Sequence, residues 1–400
     1  MFSTAKWTST GVVTLCEGVY TCGRRCVGSS SSKRGILDKI NPFKDGKGPS
    51  SEAASKACPP VKCCDDVVKV GAVEIPMFGY GTWQLYPPYV ESSIEYALDI
   101  GIRHIDTSIT FTNLQDIGTA LEKLFKCGKY CRDEIFLSGK LPYYNMKPDD
   151  IPKVVQSYLE QLKVDYLDLF MIHYPVGVIE DKCLGEYFPD PTTDHIAIWK
   201  EMEGLVSRGC IKSLGLSNFN ICQIQKLLQS ATIKPVNLQT ELHVYNQECD
   251  LVKFACGCGI SVTAYAPLGS PGLVQHLFEI SGSDNCVGYP LGNLTVERIG
   301  RKYRKTSANV LLRFLLQKGI IVIPKSEKPD RICSNFNVFD FELDGCDMEE
   351  LEALDKGKYG KMFTNNVWQG TDKHPDCIEI VAEDRRQQTQ LNHLEESRTF

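Results

Sequence analysis

Short apolar runs alternate with longer amphipathic runs along most of the chain after residue 66. The short runs have the length and β-branched content of strands, whereas the longer ones repeat apolar residues every three or four positions, as helices do. The segment 149–163 is typical of the helical pattern, with apolar and aromatic residues on one face at Val154, Val155, Tyr158, Leu159 and Leu162. Eight of the short runs are predicted to be strands: 77–81, 103–108, 134–140, 167–173, 211–217, 235–241, 260–266 and 320–324.

Strands and helices that alternate in this way predict a parallel sheet. The predicted strands contain apolar runs rather than apolar residues at every second position, which fits a sheet covered on both faces. A closed (β/α)8 TIM barrel is the predicted fold, and the roughly 310 residues of 65–376 are enough to build it. The alternative is a doubly wound open sheet, but that fold usually has G-x-G-x-x-G after its first strand, and this chain has "GYGTW" there.

The two ends of the chain differ from this central domain. Residues 1–64 are rich in Ser, Gly, Lys and Cys and lack periodicity, so they are predicted to be a disordered extension that could hold a protein partner. A short β-hairpin is predicted next, with "VVKV" and "VEIP" on either side of Gly71. Residues 377–400 are predicted to be a charged tail. A cytoplasmic location is expected, with a mitochondrial transit peptide as the alternative because basic residues and serines are frequent near the N-terminus.

Composition excludes several classes of function. A formal net charge of −6 argues against a general nucleic-acid-binding protein. The sequence lacks any run of about 18 apolar residues, so no transmembrane helix is expected. The 18 cysteines include "CGRRC" (22–26) and "CPPVKCC" (58–64). These clusters lack a histidine and regular spacing, so zinc is a weak alternative to reduced thiols and no metal is predicted.

Polar side chains follow the predicted strands at the end of the barrel where chemistry occurs in this fold. A buried lysine would tend to lose its charge, and a neighbouring carboxylate would offset that tendency. Amides and hydroxyls suit a carboxamide, an aromatic ring suits stacking, and cations suit a phosphate. In chain order these side chains are Asp106, Lys140, His173, Ser217, Asn218, Gln239, Tyr265, Lys325, Ser326 and Arg331.

The sequence resembles the aldo-keto reductase family over roughly residues 66–376. The motifs that support the resemblance are "FGYGTW" (78–83), "HIDTS" (104–108), "IGTAL" (117–121), "LSGKL" (137–141), "LDLFMIHYP" (167–175), "GLSNFN" (215–220), "QTELH" (239–243), "YAPLGS" (265–270) and "IPKSEKPDRICSNFNVFDFEL" (323–343). The resemblance implies a monomeric oxidoreductase that uses NADPH to reduce an aldehyde or ketone, with a small-molecule carbonyl compound as its partner.

The resemblance also assigns cofactor roles to single residues. It implies that Ser217, Asn218 and Gln239 hold the nicotinamide amide and that Tyr265 stacks on its ring. It implies that Lys325, Ser326 and Arg331 bind the 2′-phosphate and that Asn335 reaches the adenine, with Leu268 and Ser270 also at the cofactor. Ser334 stands where the family usually has a glutamate near the adenine.

One catalytic position departs from the family pattern. Asp106, Lys140 and His173 match three members of the family's catalytic tetrad, but Phe111 stands where the resemblance places the proton-donating tyrosine. Phenylalanine has no proton to give. Candidate replacement acids are a protonated His173 and the hydroxyls of Tyr143, Tyr144, Tyr174, Thr110 and Thr112.

Two hypotheses therefore stand: a reductase weakened by Phe111, and an inactive NADPH-binding protein that acts as a sensor, scaffold or structural component. Trp83, Tyr143, Tyr174 and Trp368 are predicted to line the substrate pocket. Substrate choice is expected to depend on the loops 174–192 and 269–293 and on the C-terminal tail.

Overall fold

The computed structural model describes residues 66–181, 186–272 and 288–363. Its strands are β1 (Val67–Val70), β2 (Val73–Pro76), β3 (Gly79–Gly81), β4 (His104–Asp106), β5 (Phe136–Leu141), β6 (Leu167–Ile172), β7 (Val178–Asp181), β8 (Glu186–Pro189), β9 (Ile211–Ser217), β10 (Asn237–Glu241), β11 (Ser261–Tyr265) and β12 (Ile321–Val322).

Eight of these strands form one parallel sheet that closes into a barrel. Their order is β3-β4-β5-β6-β9-β10-β11-β12, and each of them overlaps one of the eight predicted runs, with β5 extending one residue beyond its run to Leu141. A parallel bridge between Phe78 and Val322 joins the first strand to the last, supported by a 3.0 Å hydrogen bond from the amide of Val322 to the carbonyl of Met77. The prediction of a (β/α)8 barrel is confirmed.

Two hairpins lie outside the barrel sheet. Strands β1 and β2 form the predicted N-terminal hairpin, and Gly71 in its turn has a φ of +60°, which a glycine adopts without strain. Strands β7 and β8 form a second hairpin within the segment 174–192, which the sequence pattern predicts only as a loop.

Helices cover the outside of the barrel. The helices among the described residues are α1 (Tyr89–Asp99), α2 (Leu114–Lys126), α3 (Ile151–Leu162), α4 (His195–Ser207), α5 (Ile221–Ser230), α6 (Cys249–Gly257), α7 (Leu294–Tyr303), α8 (Ser307–Gln317), α9 (Pro329–Phe336) and α10 (Gly345–Glu352). None of the helices in the described part of the chain is both long enough and apolar enough to cross a membrane.

The apolar spacing of α1 explains which face it buries. Ile94, Ala97 and Leu98 are completely buried against the barrel, and the acidic Glu91 in the first turn suits the positive end of the helix dipole. The helix ends before Gly101, whose φ of +107° reverses the chain into β4. The same arrangement of a helix followed by a strand brings each strand end to one mouth of the barrel, where the predicted polar residues meet.

Candidate active site

Asp106 and Lys140 form a buried ion pair at the centre of the barrel mouth. Asp106 ends β4 and Lys140 lies near the end of the neighbouring β5, so the parallel register brings them together. The Lys140 ammonium donates to both carboxylate oxygens of Asp106, at 2.7 Å and 2.6 Å, and to the carbonyl of Thr107 at 3.2 Å. These bonds use all three N–H donors of the lysine.

The environment of the pair decides its charge. Burial alone would raise the pKa of Asp106, but the charge of Lys140 and hydrogen bonds from Lys140 and Gln239 outweigh burial and lower it. Burial lowers the pKa of Lys140 despite the opposing charge of Asp106. Ser138 adds a further hydrogen bond to the carboxylate, 2.8 Å from its hydroxyl to Oδ1. Each charge is therefore paired and solvated by the protein, as a buried ion pair must be.

Phe111 lies directly beside this pair. It ends a 3₁₀ turn, Ile109–Phe111, that follows β4. The ring centroid is 5.3 Å from the Lys140 ammonium nitrogen, and the ring packs edge-to-face on His173 with centroids 6.1 Å apart. The aromatic ring therefore lies beside both the lysine and the histidine, and it has no hydroxyl group that could bond to either of them.

His173 follows β6 and is neutral at physiological pH. Burial and the charge of Lys140 lower its pKa to about 3, although Asp106 acts in the opposite direction. The protonated form considered from the sequence is therefore not populated near pH 7. Nδ1 of the ring is 3.5 Å from the Ser108 hydroxyl, and the backbone carbonyl of His173 accepts a hydrogen bond from Asn218 at 3.0 Å. A neutral imidazole can still donate one ring N–H.

Tyr158 is a residue of this site that the sequence analysis assigned only to the buried face of a helix. Its hydroxyl donates to the carbonyl of Lys140 at 2.8 Å and accepts from the amides of Lys140 and Ile109, at 3.0 Å and 2.7 Å. This phenol therefore fixes the 3₁₀ turn that carries Phe111 onto β5. The available signal was a tyrosine on a fully buried helix face, since a buried phenol needs hydrogen-bond partners.

The amides and hydroxyls predicted for a carboxamide come together on the opposite side of the mouth. Asn218 donates to the Ser217 hydroxyl at 3.2 Å and accepts from the Tyr265 hydroxyl at 2.8 Å. Gln239 is buried and donates to Oδ1 of Asp106 at 2.9 Å, a contact that the sequence did not predict. The backbone amide of Asn218 donates to the carbonyl of Gln239 at 3.0 Å, so these residues form one connected network that reaches the ion pair.

The predicted phosphate-binding residues follow β12. Lys325 is half-buried, and burial lowers its pKa; its ammonium lies 3.8 Å from the carboxylate of Glu327. Ser326 is buried, and its hydroxyl accepts from the amide of Lys328 at 3.1 Å. Arg331, on α9, is exposed and makes no ion pair with any described residue.

The remaining cofactor candidates lie on the two neighbouring segments. Asn335 is buried on α9, four residues after Arg331 and so on the same side of that helix. Leu268 packs against the core in the segment after β11, and Ser270 follows with a φ of +47°. The donor set of two cations, a hydroxyl and helix amides suits a phosphorylated ligand.

Aromatic side chains form the rim of the mouth. Trp83 is 37% exposed and packs against Phe363 with centroids 5.5 Å apart, while Phe363 also packs on Tyr265 at 5.7 Å. Tyr174 lies beside His173 with centroids 6.1 Å apart, and Tyr143 is half-buried on the turn after β5. Trp368 and the predicted tail 377–400 lie outside the described residues, as do the extension 1–64 and its cysteines.

A buried carboxylate that the sequence analysis did not select anchors the segment carrying Phe363. Glu241, at the end of β10, accepts hydrogen bonds from the backbone amides of Met362 and Phe363, at 2.5 Å and 2.9 Å. Its Oε1 also lies 3.0 Å from Nε2 of His243. Since the amides belong to residues more than a hundred positions later in the chain, local sequence carried no signal for this contact.

Comparison with known proteins places the fold and the motifs in one family. A sequence model described as "Aldo/keto reductase family" matches residues 77–356. The chain is 36% identical to aldo-keto reductase family 1 member A1 of Gallus gallus over 299 residues, which are 73% of this chain and 89% of the relative. It is 37% identical to member A1-A of Danio rerio over 312 residues, 75% of this chain and 94% of the relative.

Solved structures give the same result. The aldose reductase of Schistosoma japonicum superimposes with a TM-score of 0.68 at 36% identity, covering 79% of this chain and 98% of the other. The aldo-keto reductase of the silkworm Bombyx mori, crystallised as a complex with NADPH, superimposes with a TM-score of 0.70 at 29% identity, covering 77% and 93%.

Proposed function

Because the chain belongs to the aldo-keto reductase family, we propose that it binds NADPH and reduces an aldehyde or ketone to an alcohol. The observation that carries the proposal is the buried Asp106–Lys140 pair, beside which His173 and the amides of Asn218 and Gln239 share one barrel mouth. A buried ion pair is weak evidence for stability, so its presence beside a histidine at the barrel mouth favours a chemical role.

The residues at the barrel mouth have different proposed roles. NADPH, when bound, supplies the hydride. Lys325 and Arg331 are proposed to bind its 2′-phosphate, since an arginine can do so through two parallel hydrogen bonds. Asn218 and Gln239 suit the carboxamide and Tyr265 suits the ring of the nicotinamide. The neutral His173 is placed to donate a hydrogen bond to the carbonyl oxygen and so to orient the substrate.

Phe111 is expected to slow this reaction. Negative charge develops on the carbonyl oxygen as hydride arrives, and an acid in place at that moment contributes about 10²–10⁴-fold in rate. Phe111 has no such acid, and the three donors of Lys140 are all engaged by Asp106 and Thr107. We therefore propose a reductase with weakened turnover rather than one of full activity.

Phe111 also supports a second candidate function. A protein of this fold with little or no turnover could use bound NADPH as a signal or could act as a scaffold or structural component. In that case residues 1–64 are the natural site for a protein partner, and a cytoplasmic location is proposed for either function. Both candidates require NADPH binding, and they differ in turnover.

The experiment that tests the proposal measures binding and turnover in one preparation. NADPH binding is followed by quenching of protein fluorescence, with NADH as the comparison, and turnover is assayed with aliphatic and aromatic aldehydes. Arg331→Ala should weaken NADPH binding by about tenfold or more, since a charge-assisted hydrogen bond contributes about 1.5–3 kcal/mol, and should leave NADH binding unchanged. Arg301→Ala, an equally exposed arginine on α7, is the control.

Each result leads to a different conclusion. NADPH binding with measurable aldehyde reduction supports the reductase. Tight binding without turnover supports the second candidate. Absence of NADPH affinity in the intact chain would refute both.

A further inference from the structure

Two hydroxyl groups, those of Thr110 and Ser108, connect the outside of the barrel mouth to His173. The Thr110 hydroxyl is 2.8 Å from the Ser108 hydroxyl, which in turn is 3.5 Å from Nδ1 of His173. Ser108 is completely buried, whereas Thr110 is half-buried and so reaches the surface. The last contact is long, as catalytic hydrogen bonds often are before the substrate binds.

The hydrogen-bonding capacity of these groups determines the direction in which protons are donated, from Thr110 through Ser108 to His173. The Ser108 oxygen accepts a hydrogen bond from the Thr110 backbone amide at 3.3 Å and has a second lone pair for the Thr110 hydroxyl. The Tyr158 hydroxyl also interacts with Ser108, but its oxygen already accepts hydrogen bonds from the amides of Lys140 and Ile109, so the proton of Ser108 is left for Nδ1 of His173. A neutral histidine that accepts at Nδ1 carries its proton on Nε2. Nε2 makes no hydrogen bond with any described residue, so it is available to a substrate oxygen.

We propose that Thr110, Ser108 and His173 form a proton relay that replaces the missing phenol of Phe111. The inference rests on the proposed function, because it supplies the proton that carbonyl reduction requires. His173 is the catalytic residue of the relay, since it touches the substrate, and Ser108 and Thr110 are positioning residues that act through it.

The proton balance of the step is complete. As hydride reaches the carbonyl carbon, the π electrons of the C=O bond become a lone pair on oxygen, and that oxygen takes the proton from Nε2 of His173. Nδ1 takes the proton of Ser108, Ser108 takes that of Thr110, and Thr110 takes one from a surface water, which is left as hydroxide and is neutralised by acid from the solvent. The histidine stays uncharged throughout because it gains a proton on one nitrogen as it loses one from the other.

Neighbouring groups that could compete as donors are already committed. Lys140 uses its three N–H groups on Asp106 and Thr107. The Tyr158 phenol donates to the carbonyl of Lys140 and accepts two amides, so its proton is engaged as well. Through its bond to the amide of Ile109, Tyr158 also fixes the turn on which Ser108 and Thr110 stand.

The relay is tested with variants that remove one hydroxyl at a time. Ser108→Ala and Thr110→Val should each lower kcat on the order of tenfold to a hundredfold, with little change in KM or in NADPH affinity. Thr110→Ser keeps a hydroxyl and should retain activity. Thr119→Val is the control, because Thr119 is exposed on α2 and, among the described residues, its hydroxyl donates to the carbonyl of Gln115 within the same helix.

Two further measurements separate a relay from a structural role. In mixtures of H₂O and D₂O the wild-type kcat should fall along a curve, which indicates more than one proton in flight, and in Ser108→Ala it should fall linearly. The ¹⁵N shifts of His173 should identify the tautomer protonated on Nε2 in the wild type, and that preference should be lost in Ser108→Ala.

The outcomes are distinguishable from those of the proposed function. If the wild type reduces aldehydes and both hydroxyl-removing variants keep its kcat, the relay is overturned and the reductase stands. If the wild type binds NADPH without turnover, the relay is overturned and cofactor binding stands. If NADPH does not bind, both fail. Should Ser108→Ala not fold, Thr110→Val decides, since Thr110 is only half-buried.

Discussion

The substitution Phe111→Tyr should raise the turnover of this protein. The ring of Phe111 is half-buried, so a hydroxyl at its para carbon has space at the mouth. A phenol oxygen lies about 2.8 Å from its ring centroid, so it comes within hydrogen-bonding distance of a group 5–6 Å from the centroid when the para carbon points toward that group. The Lys140 ammonium at 5.3 Å and the His173 ring at 6.1 Å are such groups.

The size of the increase follows from what the hydroxyl adds. A positioned acid contributes about 10²–10⁴-fold, which corresponds to roughly 3–5 kcal/mol of transition-state stabilisation. The charge of Lys140 favours the phenolate that remains after proton donation, so the new acid is matched to its task. NADPH affinity should stay the same, because the residues proposed to bind the cofactor follow β9 to β12 and Phe111 follows β4.

The assay is NADPH oxidation at saturating aldehyde, with NADPH affinity measured on the same samples. Phe341→Tyr is the matched control, because the ring of Phe341 also has a lysine beside it, Lys305 at 5.2 Å, but lies away from the mouth. If Phe111→Tyr binds NADPH like the wild type and gains no turnover, then the absence of a phenol is not what limits this protein. If Phe341→Tyr gains as much, the effect does not arise at the active site.

Three further predictions concern stability and the pocket wall. Asp106→Asn leaves a buried ammonium without its counter-charge and should lower the free energy of unfolding by about 3–5 kcal/mol. Glu74→Gln removes one partner of the Lys69–Glu74 ion pair, which is exposed on both sides, and should cost less than about 1 kcal/mol; equal losses in urea unfolding would contradict this reasoning. Burial lowers the pKa of His104 to about 4 and that of His173 to about 3, from 6.5. At acidic pH the unfolded chain therefore binds protons that the folded chain does not. The free energy of unfolding has its full value above pH 6.5 and falls by about 1.4 kcal/mol per pH unit per histidine as the pH drops toward 4. His104→Gln should reduce this slope by the contribution of one histidine, and an unchanged slope would exclude His104 as a source. Glu241→Gln should loosen the segment that carries the pocket wall, measured as faster trypsin cleavage there, and unchanged cleavage would show that other contacts hold it.

The eight barrel strands could be predicted because strands covered on both faces tend to contain short apolar runs, which alternate here with amphipathic helical segments and are therefore visible in the sequence itself. The sequence analysis did not specify features that depend on pairing between residues far apart in the chain. Strand β12 has only two residues and the barrel closes through one bridge at Phe78, so the strand bounds predicted for these runs are too long. The hairpin β7–β8 lies in a segment that the sequence analysis treated as a loop.

The candidate site likewise has features that could be predicted from the sequence and features that could not. The polar residues at the strand ends could be found from the sequence because the fold fixes where strand ends meet. Their contacts could not be found in this way. Gln239 donates to Asp106, 133 residues earlier, and Tyr158 binds Ile109, 49 residues earlier, so both contacts exist only once the barrel has closed. Phe111 was visible only because the surrounding motif identified the position.

The arrangement of these contacts makes cofactor binding and proton donation separable in this barrel. Asp106 and Lys140 are satisfied by each other and by Ser138, Gln239 and the backbone carbonyl of residue 107, so the pair does not need a phenol to keep its charges. An aromatic ring without its hydroxyl can therefore occupy position 111 without leaving a buried charge unpaired. The fold and the cofactor wall tolerate the change, and only the source of the proton differs. Whether this protein reduces a carbonyl compound then depends on whether another group can deliver a proton to the carbonyl oxygen. The proposed relay of Thr110, Ser108 and His173 would do so.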